Sequence, residues 1–246
     1  MPYPRVRVPD LGYHDVWLDL MGLAEEFAGR WTLIGAHMVA LHAWGAGLEP
    51  PRRSDDIDLV INLRLPGTTA KVLTDRLVEI GYLPMAGSAM GVVHRFRRNG
   101  FPIDRFAPEN LGDRSAWKLE TGAGGRLIQV PGGTQALLRS QPQEIESRDT
   151  RGGVPLPSLL AATLLKARSY PLRQDHLSRE ADLGHPAFLL GLSAEGFAPE
   201  QWLQELRGSE RAWLRTVAEP LLASDAAWSA TQRPDRAQRL LRLLVA

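Results

Sequence analysis

Two aspartates lie two positions apart at the start of an apolar run, Asp56-Ile57-Asp58-Leu59-Val60-Ile61. The run is rich in β-branched residues and lacks glycine and proline, so it is predicted to be a buried strand. Because strand side chains alternate between faces, both carboxylates project from one face, with Ser54 and Arg52 in phase if the extended run begins earlier. Neighbouring carboxylates repel unless a cation lies between them. Mg²⁺ prefers such oxygen ligands and the phosphates of a substrate, so the pattern predicts metal-dependent phosphoryl chemistry.

A third carboxylate is available on a later strand. A two-metal phosphoryl-transfer site needs three carboxylates on neighbouring strands. Asp104 lies in the segment 101–106, which is predicted to return as a strand after the hairpin turn signal Asn99-Gly100, the first strand being 92–97. The alternative is that Asp104 is a surface-edge aspartate paired with Arg105 or Arg97.

A strand and a helix before the aspartates are predicted to complete the site. Residues 31–34 form a short strand, Gly35 breaks it, and residues 36–44 are helical in pattern. A glycine at such a junction lets a phosphate approach the backbone N–H groups at the helix N-terminus, where the helix dipole favours anions. Many strand–helix turns use glycine for geometry alone. Gly35 therefore supports a phosphate site only together with the predicted neighbouring strand that carries Asp56.

The remaining pattern predicts an α+β fold. A mixed β-sheet flanked by helices is expected in residues 1–154, followed by a helical C-terminal domain in residues 155–246. Helices are predicted at 15–29, 68–80, 158–169, 179–192, 199–206, 210–223 and 234–245, and further short strands at 127–130, 144–147 and 153–156.

Composition narrows the class of protein. The chain lacks cysteine, which excludes disulfides and thiolate metal sites, and no apolar run approaches the length of a membrane span. With 29 basic and 28 acidic residues, the net charge of +1 gives no nucleic-acid-binding tail. We therefore expect a cytoplasmic protein without a membrane partner, in which any RNA contact needs a local patch.

The segments Ile34-Gly35-Ala36-His37 and Arg52-x-Ser54-x-Asp56-Ile57-Asp58-Leu59, followed by Asp104, resemble the signature of the polymerase-β-like nucleotidyltransferase superfamily. The resemblance is closest to the AbiEii-type, minimal branch, which includes toxin nucleotidyltransferases. It covers roughly residues 15–107. The family pattern has glycine or serine after the first glycine, whereas this chain has Ala36, so a hydroxyl contact to the triphosphate is lost.

The resemblance implies an Mg²⁺- or Mn²⁺-dependent enzyme that transfers a nucleoside monophosphate from an NTP to a hydroxyl of RNA, such as tRNA, or of a protein. It implies that Asp56, Asp58 and Asp104 hold the metal. It also implies a toxin role with a cognate antitoxin. The nucleotide would be bound by Gly35, Ala36, Arg52, Ser54 and Lys166.

Alternatives remain for several of these residues. Arg52 either contacts phosphate or orders its loop, and Lys166 either reaches the nucleotide or covers apolar surface with its stem. Asp182 resembles a further family aspartate, although the pattern favours a solvated helix face. For the arginines at 95, 97, 98 and 105, a solvated strand edge is favoured over a phosphate-binding cluster. For the whole chain, the alternatives are a catalytically silent module with the same fold, which Ala36 favours, and a protein that binds a partner through its C-terminal helix.

Overall fold

The predicted aspartate strand lies in the middle of the larger of two sheets. The computed structural model describes residues 3–85, 94–122, 125–172, 176–196 and 199–246. Strand β3 (Ile57–Ile61) is antiparallel to β2 (Trp31–Ile34) on one side and parallel to β6 (Phe101–Pro108) on the other. The sheet runs in the order β2 (Trp31–Ile34), β3 (Ile57–Ile61), β6 (Phe101–Pro108), β5 (Arg95–Arg98), β4 (Leu83–Pro84), and β7 (Ile128–Val130) pairs with β6. The mixed sheet is therefore confirmed.

A second sheet lies against the first. It consists of β1 (Val6–Val8), β8 (Ser140–Ser147) and β9 (Thr150–Pro157) in that order. The Thr32 hydroxyl, on β2, lies 2.6 Å from the Ser140 hydroxyl and 3.2 Å from the Pro155 carbonyl oxygen, which joins the two sheets. The predicted strands 144–147 and 153–156 cover only half of β8 and half of β9, towards their C-terminal ends.

Helices cover the sheets and form the C-terminal part. The first four are α1 (His14–Glu26), α2 (Gly35–Gly45), α3 (Ala70–Glu79) and α4 (Gly133–Leu138), and a 3₁₀ segment covers Asp113–Leu119. The others are α5 (Leu159–Ser169), α6 (His176–Gly196), α7 (Pro199–Glu205), α8 (Gly208–Ala223) and α9 (Pro234–Val245), with 3₁₀ turns at Tyr170–Leu172 and Asp225–Trp228. The predicted α+β class is confirmed. Helix α4 is not among the helices that the sequence predicts.

Helix α2 fixes the position of the site because it is buried on all sides. Its residues from Ala36 to Ala43 are all buried, and it packs on β1, β2 and β3 as well as on α5 and α6. A helix with no polar face has to lie inside the protein. Its N-terminus, which follows β2 directly, is therefore held against the larger sheet next to β3.

The division of the chain at 154/155 stays a prediction. This boundary falls within β9, and α5 begins two residues after that strand ends. Residues 92 and 93 of the predicted strand 92–97 lie outside the described residues. Among the helices that the structure describes, none has the length and apolar character to cross a membrane.

Candidate active site

Strand register brings the three predicted carboxylates together. Asp58 on β3 lies directly opposite Asp104 on the parallel strand β6, and paired residues of adjacent strands point to the same face. Asp56 precedes Asp58 by two positions and shares that face. One oxygen from each of the three carboxylates lies within 4.8 Å of the others. The spacing that the sequence indicates is thus realised as a single acidic cluster.

Gly35 lies directly against the carboxylate of Asp58. Its φ is +70°, and a Cβ atom built on it would be only 1.8 Å from Asp58 Oδ2. Glycine is therefore required twice, for the left-handed backbone and for the close approach. The missing side chain lets the acidic cluster meet the N-terminus of α2.

Arg95 binds two of the three carboxylates, a contact that the sequence analysis did not predict. Its Nε donates to Asp104 Oδ1 at 2.7 Å, and its Nη2 donates to Asp104 Oδ2 at 2.6 Å and to Asp56 Oδ2 at 3.2 Å. Asp104 is only 4% exposed, so its interpretation as a surface-edge aspartate paired with Arg105 or Arg97 is wrong. The contact between Arg95 and Asp104 could have been predicted from the Asn99–Gly100 turn, because a two-residue turn there pairs position 95 with position 104.

The cluster has an uneven charge distribution. Burial, followed by repulsion from Asp56, raises the pKa of Asp58 to about 7, against the opposing positive charge of Lys166. Burial also acts to raise the pKa of Asp56, but the Ser54 hydroxyl, its own backbone N–H and Arg95 outweigh it and lower that pKa. Asp58 is thus the carboxylate that most needs a further positive charge.

The loop before β3 is held in place by aromatic residues. The Ser54 hydroxyl donates to Asp56 Oδ1, and His37 Nδ1 lies 3.0 Å from the Asp56 carbonyl oxygen, to which it donates. The Tyr13 hydroxyl lies 3.1 Å from the Ser54 carbonyl oxygen and 3.0 Å from Asp55 Oδ1. Sequence reasoning missed Tyr13 and His37, since their contacts depend on how α1 and α2 pack.

The helical part contributes two charged residues near the site. Lys166 on α5 is half-buried and close enough to Asp58 to lower its pKa. Arg52 lies 3.8 Å from Asp182 on α6, whose side chain is only 13% exposed. The interpretation of Asp182 as a solvated helix face is therefore wrong. Both helices face the loop and strand that carry the aspartates.

The other arginines near β5 and β6 do not form one cluster. Arg105 is fully buried on the opposite face of β6, where its Nη1 donates to the Thr74 hydroxyl at 2.5 Å and its guanidinium lies 4.0 Å from the Phe96 ring centroid. Burial lowers the pKa of Arg105 to about 9. Arg98 binds Asp19, and Arg97 is exposed. A shared phosphate-binding role for the arginines at 95, 97, 98 and 105 is excluded by this separation, as is the solvated-edge alternative for Arg105.

An aromatic cavity of about 300 Å³ adjoins the acidic cluster. Ala36 and His37 of α2 line it on one side and Arg52, Ser54 and Asp55 on the other. The aromatic part of its wall comprises Tyr13, Trp17, Trp44 and Phe101. A cavity of this size, lined by rings and bordered by charged groups, is typical of a small-ligand site.

The residues present suit a hard divalent cation. All the donors in the cluster are carboxylate oxygens, which Mg²⁺ and Mn²⁺ prefer. The absent side chain of Gly35 lets the Asp58 carboxylate lie against the N-terminus of α2. The raised pKa of Asp58 indicates that its negative charge is incompletely compensated by the protein alone.

Divalent-ion binding to the protein is expected to strengthen as the pH rises from about 6 to about 8. Without metal, Asp58 keeps its proton at pH values below its pKa of about 7. That proton has to leave when metal binds. Below this pKa the apparent affinity should fall by up to about tenfold per pH unit, and above it the affinity should level off. Calorimetric titration of Mn²⁺ in buffers of different ionisation enthalpy measures both affinity and proton release. An affinity independent of pH over this range would contradict the expectation.

Solved structures with a similar fold include an antigenic nucleotidyltransferase-like protein from Paracoccidioides brasiliensis. It is 16% identical, with a TM-score of 0.52 over 90% of this chain and 94% of that chain. The antibiotic-resistance factor ANT(2'')-Ia is 14% identical, with a TM-score of 0.43 over 87% of this chain and 97% of that chain. No protein-family model and no curated protein matches the sequence. The chain has a nucleotidyltransferase-like fold, and its chemistry has to be argued from the site.

Proposed function

We propose that the protein is an Mg²⁺- or Mn²⁺-dependent nucleotidyltransferase that moves a nucleoside monophosphate from an NTP to an acceptor hydroxyl, with pyrophosphate as the leaving group. The observation that carries the proposal is the convergence of Asp56, Asp58 and Asp104 within 4.8 Å, beside the N-terminus of α2. A cluster of three carboxylates at a helix N-terminus can hold a metal and a phosphate side by side.

The bound metal would activate the acceptor oxygen and stabilise charge on the phosphates. The chain's own residues would do the positioning. The N–H groups of the first turn of α2, which Gly35 and Ala36 begin, would receive phosphate through the backbone, so an alanine at position 36 is tolerated. Ser54 would orient Asp56 through their hydrogen bond. Arg52 would order the loop through Asp182 rather than bind phosphate, because it already lies within 3.8 Å of that carboxylate.

An RNA acceptor, for example a tRNA end, is favoured over a protein acceptor by the aromatic cavity. Rings from Tyr13, Trp44 and Phe101 with Arg53 at the border suit a base that stacks while its phosphate meets a cation. The toxin role, the cognate antitoxin and the AbiEii-type branch are part of the proposal through the resemblance of the motifs alone.

The second candidate is a catalytically silent module that binds nucleotide and metal. Ala36, which stands where the family has glycine or serine, is the residue that favours it. The intact triad favours the enzyme, because a module freed from catalysis would tend to lose at least one of the three carboxylates.

Label transfer from NTPs separates the two candidates. The protein is incubated with Mg²⁺, each of the four α-labelled NTPs, and either total RNA or a protein lysate. The enzyme is expected to label one acceptor class with one preferred base, and EDTA is expected to abolish the label. Metal-dependent NTP binding without any labelled acceptor would favour the silent module. Label in the protein fraction alone would overturn the RNA acceptor.

Replacing Lys166 by methionine is expected to weaken NTP affinity by about tenfold with little effect on folding, because the side chain would approach the phosphates from α5 as a point charge. The proposal is supported by the charge of Lys166, which acts to lower the pKa of Asp58. Equilibrium binding of NTP and the melting temperature are the two measurements. Arg168→Met is the matched control, since Arg168 is exposed on the same helix and stacks on Trp213. Unchanged NTP affinity in Lys166→Met would leave this lysine with a packing role only.

A further inference from the structure

The guanidinium of Arg95 lies where a metal would meet two of the three carboxylates. It binds both oxygens of Asp104, at 2.7 and 2.6 Å, and one oxygen of Asp56 at 3.2 Å. Such charge-assisted bonds are strong and directional, and a bidentate arginine uses both carboxylate oxygens at once. In this arrangement Arg95 is the internal counter-ion of the acidic cluster.

A divalent ion and this guanidinium compete for the same oxygens. Mg²⁺ needs oxygens at about 2.0–2.1 Å in near-octahedral geometry, and a cation so close to the guanidinium would be repelled by it. Asp104 cannot turn away, because it is 4% exposed and held within β6. The side chain of Arg95 is 38% exposed, so Arg95 is the partner that can move.

We propose that Arg95 occupies the acidic cluster in the free protein, leaves it when metal and nucleotide enter, and then binds the phosphates of that nucleotide. The inference rests on the proposed function. Arg95 lines an open cleft with Asp56, Arg97, Asn99 and Gly100, so its released side chain remains next to the incoming polyphosphate. A planar guanidinium matches phosphate oxygens as well as it matches carboxylate oxygens.

This exchange of partners couples the two ligands. Metal alone has to displace Arg95 without offering it a new anion, so it binds weakly. Metal with nucleotide supplies the phosphates, so each ligand raises the affinity of the other. The loss of Arg95 should therefore have opposite effects on the two binding events, which the loss of a merely structural contact would not.

The test measures two dissociation constants in Arg95→Met, which keeps an apolar stem and removes the charge. Mn²⁺ binding without nucleotide is followed by the electron paramagnetic resonance of free Mn²⁺, and is expected to become about tenfold tighter than in the unaltered protein. Binding of the α,β-methylene analogue of ATP in saturating Mn²⁺ is expected to become about tenfold weaker. The corresponding analogues of CTP, GTP and UTP are measured in parallel.

Arg97→Met is the matched control, because Arg97 lies two residues further along β5, is exposed, and lines the same cleft. It removes the same charge, and both constants should change by less than about threefold. Arg95→Lys keeps the positive charge but lacks the planar guanidinium. Its Mn²⁺ affinity is expected to lie between those of the unaltered protein and Arg95→Met.

Two outcomes would overturn the inference. If Arg95→Met binds Mn²⁺ no more tightly than the unaltered protein, Arg95 does not compete with metal. If both constants move in the same direction, Arg95 does not exchange the carboxylates for the phosphates. In either case the proposed function is untouched. If neither protein binds Mn²⁺ with or without nucleotide, the proposed function fails as well. The melting temperature of Arg95→Met in saturating Mn²⁺ shows that the variant is folded, and a variant unfolded there leaves Arg95→Lys to decide by the same two constants.

Discussion

Asp58→Asn is expected to reduce nucleotidyl transfer by at least about a thousandfold while raising the melting temperature of the metal-free protein at pH 8. Activity should be lost because Asp58 belongs to the acidic triad and lies against the N-terminus of α2. Stability rises because the pKa of Asp58 is raised to about 7, so its ionised form is disfavoured in the folded state. Label transfer and thermal unfolding without metal measure the two effects.

The sign of the stability effect depends on pH. Asp58 lowers the free energy of unfolding as the pH rises from about 4, where the unfolded chain begins to ionise, to about 7, where the folded protein does. The gain from Asp58→Asn should therefore shrink towards pH 4. Asp55→Asn is the control, because Asp55 is exposed, binds Tyr13 and lies outside the triad. Full activity in Asp58→Asn would refute the proposed mechanism.

The two other carboxylates should behave differently from Asp58 in stability. The sequence suggests that removal of either Asp56 or Asp58 relieves repulsion, yet Asp56 has a lowered pKa and accepts bonds from Ser54 and Arg95. Its ionised form therefore stabilises the fold, and Asp56→Ala should lower the melting temperature slightly. Replacing the buried Asp104 by alanine should lower the melting temperature further, since Arg95 then loses its bidentate partner.

Gly35→Ala is expected to abolish metal binding and transfer together, and to destabilise the fold by more than about 1 kcal/mol. The new Cβ would lie 1.8 Å from Asp58 Oδ2 and 2.8 Å from Asp58 Cβ, so β3 and α2 would have to separate. The substitution also places a side chain at a φ of +70°. Mn²⁺ binding and thermal unfolding with and without metal are the measurements.

Gly29→Ala isolates the backbone contribution. Gly29 has a φ of +71°, almost the value of Gly35, and a Cβ built there would meet no atom within 4 Å. It should therefore show the loss of stability that a positive φ causes and leave metal binding unchanged. Equal metal affinity in Gly35→Ala and the unaltered protein would mean that the site tolerates separation of the helix from Asp58.

The local part of the site could be predicted from sequence, because its causes lie within short segments. The apolar run after Asp56, the glycine at the end of β2 and the Asn99–Gly100 turn each determine their structure through nearby residues. Because side chains alternate along a strand, Arg105 is expected to point to the face of β6 opposite to that of Asp104. These features place Asp104 opposite Asp58 once β3 and β6 are known to be neighbours.

The distant part could not be predicted, because it depends on pairings across most of the chain. β1 pairs with β8 through Val6 and Ile145, and three residues of alternating character carry no sign of that partner. Asp182 has the sequence environment of a surface helix, whereas in the fold its side chain is 13% exposed and lies 3.8 Å from Arg52. Short segments indicate which residues have the right chemistry, whereas helix packing decides which of them meet.

The opposite placement of Asp104 and Arg105 on β6 has a consequence for how the sheet assembles. If β6 slipped by one residue against β3, an anion would enter the apolar layer under α3 and a cation would replace it beside Asp58. Both errors would arise from the same shift, and neither could be relieved without undoing it. The competing alignment is thus penalised twice, so the placement of these two charges on opposite faces of β6 favours the observed register.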